Sequence, residues 1–182
     1  MDSSIINARL EAHIGMMKEF ESNEALKASL LAAAEMIRTG TSTFNDHYWH
    51  HLESYRAASE MGLRIATGYE VMDKDDPAEA ERQKEQCCRM YERAMKEWCG
   101  NSKYQVAFHA IYSVSEELML WISNFARQHG LNLHIHLSET RKEIEDCMAM
   151  HGGLTPVEYL DSLGEIKRRL YFHTRIIYLN II

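Results

Sequence analysis

Segments with the pattern of a β-strand and segments with the pattern of an α-helix alternate strictly along this chain. Five apolar segments rich in strand-forming residues are predicted as strands, at residues 41–46, 63–72, 104–112, 131–139 and 169–174. Helical patterns lie between them, and glycines such as Gly40, Gly62 and Gly130 mark where helices are expected to end. Alternation of this kind favours parallel strands joined by right-handed crossovers, and therefore an α/β fold.

Two α/β architectures suit this alternation: an open, doubly wound sheet, or part of a (β/α)8 barrel. A complete barrel usually takes about 250 residues, so a chain of 182 residues supplies only about five of the eight units. No glycine-rich phosphate-binding loop follows any predicted strand, and such a loop is the main sign of a nucleotide-binding open sheet. The prediction is therefore a partial (β/α)8 TIM-like barrel.

The composition is that of a globular protein, with 46% hydrophobic and 26% charged residues. The formal net charge of −7 argues against nucleic acid or an anionic membrane as the main partner, because both bind clustered lysine and arginine. No run approaches the ~18 apolar residues that a membrane-spanning helix needs, and the N-terminus lacks the pattern of a signal peptide. The four cysteines show no CxxC spacing and are expected to be reduced thiols, so we predict a cytoplasmic protein.

Polar residues with catalytic or metal-binding chemistry lie near the carboxyl ends of the predicted strands. In chain order they are Asp46, His47, Glu70, His109, His136, Glu139 and His173. Taken alone, a histidine in a strand is more often a hydrogen-bonded structural residue than a ligand. Active sites of barrel enzymes are built at the carboxyl ends of the strands, so recurrence of such residues on five strands indicates a catalytic rim.

The stretch HIHLSE, residues 134–139, carries the densest set of these residues. Alternation along a strand places His134 and His136 on the same face, and His136 is nearer the carboxyl end. His136 is therefore the better candidate metal ligand, and Glu139 could reach a metal-bound water. Zinc lowers the pKa of such a water toward ~7, and a neighbouring carboxylate can transfer the proton to a leaving group. The spacing alone is a moderate signal, because short histidine motifs also occur by chance.

Four segments, in this order along the chain, resemble the amidohydrolase superfamily: LLAAAEMIRTGTSTFNDHY, FHAIYSVSEELM, IHLSETRKEIE and LYFHT. The resemblance runs from about residue 24 to 174. It is strongest to the branch that holds 5-methylthioadenosine/S-adenosylhomocysteine deaminases, guanine deaminases and triazine chlorohydrolases. It implies a (β/α)8 barrel with one catalytic zinc, or sometimes iron. The implied reaction is hydrolysis of an amine or a chloride off a heteroaromatic ring.

The resemblance also implies roles for single residues. His136 matches the metal-binding histidine at the end of barrel strand five, and Glu139 matches the glutamate that shuttles a proton. His173 matches the strand-six histidine that contacts the attacking water or the substrate. His136, Glu139 and His173 are therefore the predicted metal ligand and the two predicted catalytic residues.

His109 matches a histidine that helps to hold the substrate. Ile111 stands where that motif usually has proline, which should alter the stiffness of the loop more than its chemistry. His134 has no firm counterpart in the family, and we expect it to have a supporting or structural role.

The family's other metal ligands are an HxH pair after strand one and an aspartate after strand eight. No HxH pair precedes residue 24, and the chain reads TRIIYLNII after His173. We expect residues 1–182 to form a single incomplete barrel of about strands two to six, without the N-terminal β-sandwich or strands one, seven and eight. One of four metal ligands is then present. Three explanations would account for the missing ligands and strands. The chain is a truncated fragment, a degenerate non-catalytic homologue, or a chain completed by another chain.

The predicted function is that of a fragment or truncated homologue of a metal-dependent amidohydrolase. It would deaminate a purine-type or related heteroaromatic small molecule through metal-bound hydroxide. One alternative is a chlorohydrolase of the same branch, and another is a non-catalytic oligomerisation or interaction module. The open edge strands and the uncharged TRIIYLNII tail also favour a homo-oligomer.

Overall fold

The computed structural model describes residues 22–98, 100, 102–164 and 170–173, the last four by their backbone. The elements in chain order are α1 (Ser22–Arg38), β1 (Thr43–Asn45), α2 (His51–Met61), β2 (Arg64–Thr67), β3 (Glu70–Val71), α3 (Pro77–Glu97), β4 (Lys103–Tyr104), β5 (Val106–Phe108), α4 (Glu116–His129), β6 (Leu133–His136), α5 (Arg141–Met150), α6 (Pro156–Ser162) and β7 (Leu170–His173). The expected association segment, residues 174–182, lies outside the described residues. None of the described helices is long and apolar enough to cross a membrane.

Strands and helices alternate as predicted, and the strands pair in parallel. β1 lies beside β2, with Thr43 opposite Arg64. A second sheet has the strand order β3-β5-β6-β7, and each neighbouring pair in it is parallel. The predicted α/β architecture of parallel strands with intervening helices is confirmed.

Two of the predicted strands are each divided between two sheets. Segment 63–72 forms β2, which pairs with β1, and then β3, which pairs with β5. Segment 104–112 is likewise interrupted at Gln105, between β4 and β5. The same positions separate two compact units: one holds the described residues up to Gly68 with 97–103, and the other holds 69–96 with the described residues from 104 onward.

The first unit is organised around helices α1 and α2, which pack against each other. Its buried cluster consists of Ala33, Ala58, Leu63 and Ile65. Gly62 ends α2 with φ 73°, a left-handed conformation in which its N–H donates to two carbonyls of the last turn. This stop was expected from the sequence, since glycine adopts positive φ without steric cost.

The second unit has its core between the four-stranded sheet and the helices that pack on it. Fully buried side chains include Val71, Val106, Phe108, Leu118, Ile122, Ile135 and Leu160. Helix α4 begins after Ser115, whose side chain accepts a hydrogen bond from the N–H of Leu118, and ends at Gly130 with φ 64°. The end of this helix at Gly130 was predicted from the sequence.

The register of the second sheet aligns the carboxyl ends of its strands. Val71 lies opposite Phe108, and His136 lies opposite His173. The N–H of His136 donates to the carbonyl of His109 at 3.1 Å. Residues that follow β3, β5 and β6 therefore emerge at one edge of this sheet.

Candidate functional site

Two of the predicted site histidines meet at this edge of the second sheet. The rings of His109 and His136 are 5.4 Å apart between centroids and nearly perpendicular, at 76°. His109 is buried, whereas His136 is half-buried. The backbone hydrogen bond between them holds the two segments in register, so both imidazoles are placed by β5 and β6 rather than by free loops.

The ring of His109 is oriented by Ser113, one turn further along the chain. Its Nδ1 lies 2.8 Å from the hydroxyl oxygen of Ser113, which also donates to the carbonyl of Ala110 at 3.2 Å. A hydroxyl has a single proton, so when Ser113 donates to Ala110 it accepts from the Nδ1–H of His109. In the neutral ring this arrangement makes Nε2 the acceptor nitrogen of His109.

Asp73 ties the segment after β3 to the segment that carries Ser113. Its carboxylate accepts hydrogen bonds from the backbone N–H of Ser115 at 2.8 Å and from the Ser115 hydroxyl at 2.5 Å. The N–H of Lys74 donates to the carbonyl of Ser113 at 3.0 Å. Asp73 is 2% exposed. Sequence reasoning did not single it out, although an acidic residue just after a predicted strand was a usable signal.

His134 lies on the same strand as His136 but in a different environment. It is buried, and its Nδ1 is 3.2 Å from the side-chain amide nitrogen of Gln105. The amide nitrogen can only donate, so Nδ1 of His134 accepts this hydrogen bond. The two histidine rings on β6 are 6.5 Å apart. This contact suits the supporting role expected for His134.

Glu139 is carried by a tight turn between β6 and α5. Ser138 has φ 56°, a left-handed conformation that is uncommon for a residue other than glycine. The N–H groups of Ser138 and Glu139 donate to the two carboxylate oxygens of Glu143, at 2.8 Å and 2.7 Å. Thr140 caps α5 by accepting from the N–H of Glu143 at 3.1 Å. Glu143 was missed by the sequence reasoning, although the T-x-x-E pattern at 140–143 marks a helix start.

Glu143 and Tyr112, which both interact electrostatically with Glu139, have raised pKa values. Burial raises the pKa of Glu143, and its hydrogen bonds from backbone N–H groups oppose that rise. Burial also raises the pKa of Tyr112, and the carboxylates of Glu139 and Glu143 raise it further. The ring of Tyr112 lies edge-on to that of His109 at 5.9 Å. Tyr112 thus contacts His109, and its hydroxyl is protonated at neutral pH.

Three other residues of the predicted rim are placed differently. Asp46 and His47 follow β1 in the first unit, where the carboxylate of Asp46 accepts from the Thr67 hydroxyl at 2.9 Å and so links β1 to β2. Glu70 is buried in the two-residue strand β3, one residue before its carboxyl end, and the predicted strand is divided before it.

A metal site would need more ligands than this edge provides. His173 ends β7 opposite His136, and its side chain lies outside the described part of the structure. Among the described residues, no group of three or more histidine, cysteine, aspartate or glutamate side chains is arranged to hold a metal ion. His136 offers one imidazole, and the described residues do not fit a complete metal centre.

Comparison with known proteins identifies relatives across most of this chain. Residues 7–179 match the amidohydrolase family. A 5'-deoxyadenosine deaminase from Methanosphaera stadtmanae is 38% identical over 148 residues, which cover 80% of this chain and 35% of that protein. A 5-methylthioadenosine/S-adenosylhomocysteine deaminase from Pyrococcus furiosus is 33% identical over 153 residues, covering 84% of this chain and 36% of the relative.

A similar fold occurs among solved structures. An adenosine deaminase from Xanthomonas campestris, crystallised with bound zinc, matches with a TM-score of 0.78 at 23% identity, covering 92% of this chain and 38% of that one. The family resemblance and the α/β fold predicted from the sequence are both confirmed. The chain spans about a third of the length of the curated relatives it matches.

Proposed function

We propose that this chain, which belongs to the amidohydrolase family, contributes to the catalytic site of an enzyme that hydrolytically removes an amine from a heteroaromatic ring. The observation that carries the proposal is the placement of His109 and His136 at one sheet edge, with Glu139 held in the turn that follows. The deaminase names of the two relatives support the same reaction class.

In this proposal each residue acts on a defined atom. The oxygen of a water adds to the ring carbon that bears the amine, and Glu139 takes the proton that the water releases. Glu139 then delivers a proton to the amine nitrogen, the carbon–nitrogen bond breaks, and ammonia leaves. His109 binds the ring through an imidazole nitrogen, and His173 orients the attacking water.

We also propose a divalent metal for the whole protein, with His136 as one ligand. Zinc is the expected metal, because the solved adenosine deaminase contains it, and iron is the other candidate. The described residues contain no group of three or more side chains arranged to hold a metal, so the steps above are assigned only to side chains of this chain.

The proposed substrates are purine-type small molecules with an exocyclic amine. The first candidates are 5'-deoxyadenosine and 5-methylthioadenosine, which are named for the two relatives. A cytoplasmic location and a homo-oligomeric state remain predictions, to be checked by fractionation and by light scattering.

The test incubates the protein, expressed from its own gene, with a panel of substrates and measures the release of both ammonia and chloride. The panel holds the two nucleosides, guanine and a chlorotriazine. Glu139→Gln should lower turnover by about 10²–10⁴-fold, the usual contribution of a general acid–base group. Glu145→Gln makes the same chemical change at an exposed position on α5 and should leave turnover within about twofold.

The results distinguish the proposed deaminase from its alternatives and test the role of Glu139. Normal turnover in the Glu139→Gln protein would remove Glu139 from the mechanism. Release of chloride without ammonia would favour the chlorohydrolase. A stable, metal-free oligomer with no hydrolysis of any substrate would instead support the non-catalytic interaction module.

A further inference from the structure

Glu143 is a buried acid whose two oxygens are both used to hold backbone. The side chain is 5% exposed, and it points from the first turn of α5 back toward the turn that precedes the helix. One carboxylate oxygen accepts from the N–H of Ser138 and the other from the N–H of Glu139. Burying a carboxylate is costly unless it is fully hydrogen-bonded, and here two N–H donors provide that compensation.

The chain contains a second T-x-x-E helix start that serves as an internal reference. At α6, Glu158 accepts from the N–H and the hydroxyl of Thr155, which is the ordinary capping box. That glutamate is exposed, and it engages only the cap residue. Glu143 interacts with the backbone of its own cap residue, Thr140, but also accepts from the two residues before that cap, so its hydrogen bonds act on the turn as well as on the helix end.

That turn requires an external restraint. Ser138 occupies the left-handed region at φ 56°, which is unfavourable for a residue with a Cβ atom. Glu139 comes next, so the backbone geometry of the turn sets the direction in which its side chain leaves the main chain. The helix cap is already provided by Thr140, which accepts from the N–H of Glu143.

We propose that Glu143 is a positioning residue, which fixes the Ser138–Glu139 backbone so that the carboxylate of Glu139 is directed at the reacting ring. This inference rests on the proposed function, because it concerns the residue to which that function assigns proton transfer. A purely structural role would predict a loss of stability without a loss of turnover per folded molecule.

The test compares three variants of the protein as expressed from its gene, each corrected for its folded fraction. Glu143→Gln keeps the size of the side chain but leaves one acceptor, since the amide nitrogen can only donate. It should lower kcat by about 10- to 100-fold with KM within about twofold, because small misplacements of a catalytic group cost this much. Glu143→Asp keeps both acceptors on a shorter side chain and should restore part of kcat.

Thr140→Ala is the matched control for stability. It removes the cap of α5 but leaves both oxygens of Glu143 available to the turn. It should lower the melting temperature while kcat per folded molecule stays within about twofold of wild type. If Glu143→Gln behaves like this control, the positioning role is wrong.

Two further measurements separate the possible failures. Glu139→Gln is assayed alongside, and normal turnover in that variant would reject the proposed function rather than the contacts of Glu143. If Glu143→Gln does not fold, amide hydrogen exchange in the wild-type protein tests whether Glu143 holds the turn. The N–H groups of Ser138 and Glu139 should exchange slowly, and exchange at the rate of unprotected amides would overturn the proposal.

Discussion

Replacing Asp73 with alanine should destabilise the chain, because the carboxylate holds two segments together from a buried position. One oxygen accepts from the N–H of Ser115 at 2.8 Å and more weakly from the N–H of Asp75 at 3.4 Å, and the other accepts from the Ser115 hydroxyl. Alanine offers none of these acceptors, so the substitution removes the side-chain hydrogen bonds between the segment after β3 and the start of α4 and leaves only the backbone bond from Lys74 to Ser113 among those described above.

The loss of stability depends on whether each donor can find another acceptor after the substitution. A backbone N–H left without an acceptor costs about 1–3 kcal/mol. The Ser115 hydroxyl is half-buried and can turn toward water. The contact of the Asp75 N–H with Asp73 is weak at 3.4 Å. Each of these two donors therefore adds little to the loss of stability. The expected loss is therefore about 2 kcal/mol, or about 4–8 °C in melting temperature for a chain of this length.

Urea unfolding followed by far-ultraviolet circular dichroism measures this loss. Asp161→Ala, at an exposed position on α6, is the control and should stay within about 0.5 kcal/mol of wild type. Because Ser115→Ala removes the partner hydroxyl, the double variant should lose less than the sum of the two single variants. A loss below about 0.5 kcal/mol for Asp73→Ala, or strict additivity with Ser115→Ala, would refute this account of the link.

Three further predictions concern the core and the capping box. Ile135→Ala, at a fully buried site on β6, should cost about 2–5 kcal/mol, while Leu31→Ala at an exposed site should cost less than about 0.5 kcal/mol in the same urea assay. Thr155→Ala should cost about 1 kcal/mol through loss of the α6 cap. Hydrogen bonds from Thr155 hold the pKa of Glu158 below its usual 4.5, so its stabilising contribution is present above that pH and is lost as the pH falls through the lower, folded-state pKa. The difference in unfolding free energy between wild type and Glu158→Gln should therefore shrink on acidification, and a difference independent of pH would contradict it.

Much of the secondary structure could be predicted from local pattern. Helices lie between the predicted strands, and the helices ending at Gly62 and Gly130 stop where the sequence predicted. These features depend on residues within a few positions of each other. The hydrogen bonds and side-chain contacts involved are local, so the sequence alone was sufficient.

The site was only partly predictable in this way. Strand alternation and family resemblance together pointed to His109, His136 and Glu139, and the parallel register explains how the two histidines reach one edge. The resemblance indicated candidate site residues but not the contacts that hold them. Asp73 acts through its hydrogen bonds to Ser115, which is 42 positions further along the chain, and local patterns do not relate these two segments.

Two features depended on tertiary structure. Segment 63–72 reads as one continuous strand, yet it is shared between two sheets, because an apolar run does not specify which strand it pairs with. The local pattern T-x-x-E is sufficient to specify a helix start at Thr140 and another at Thr155. The same pattern does not specify that Glu158 is exposed at its cap, whereas Glu143 is buried against the turn that carries Glu139; that difference arises from tertiary packing. The N–H groups at a helix start are hydrogen-bonded by residues close in sequence. Burial of a side chain and its choice of hydrogen-bond partner depend instead on what packs around it.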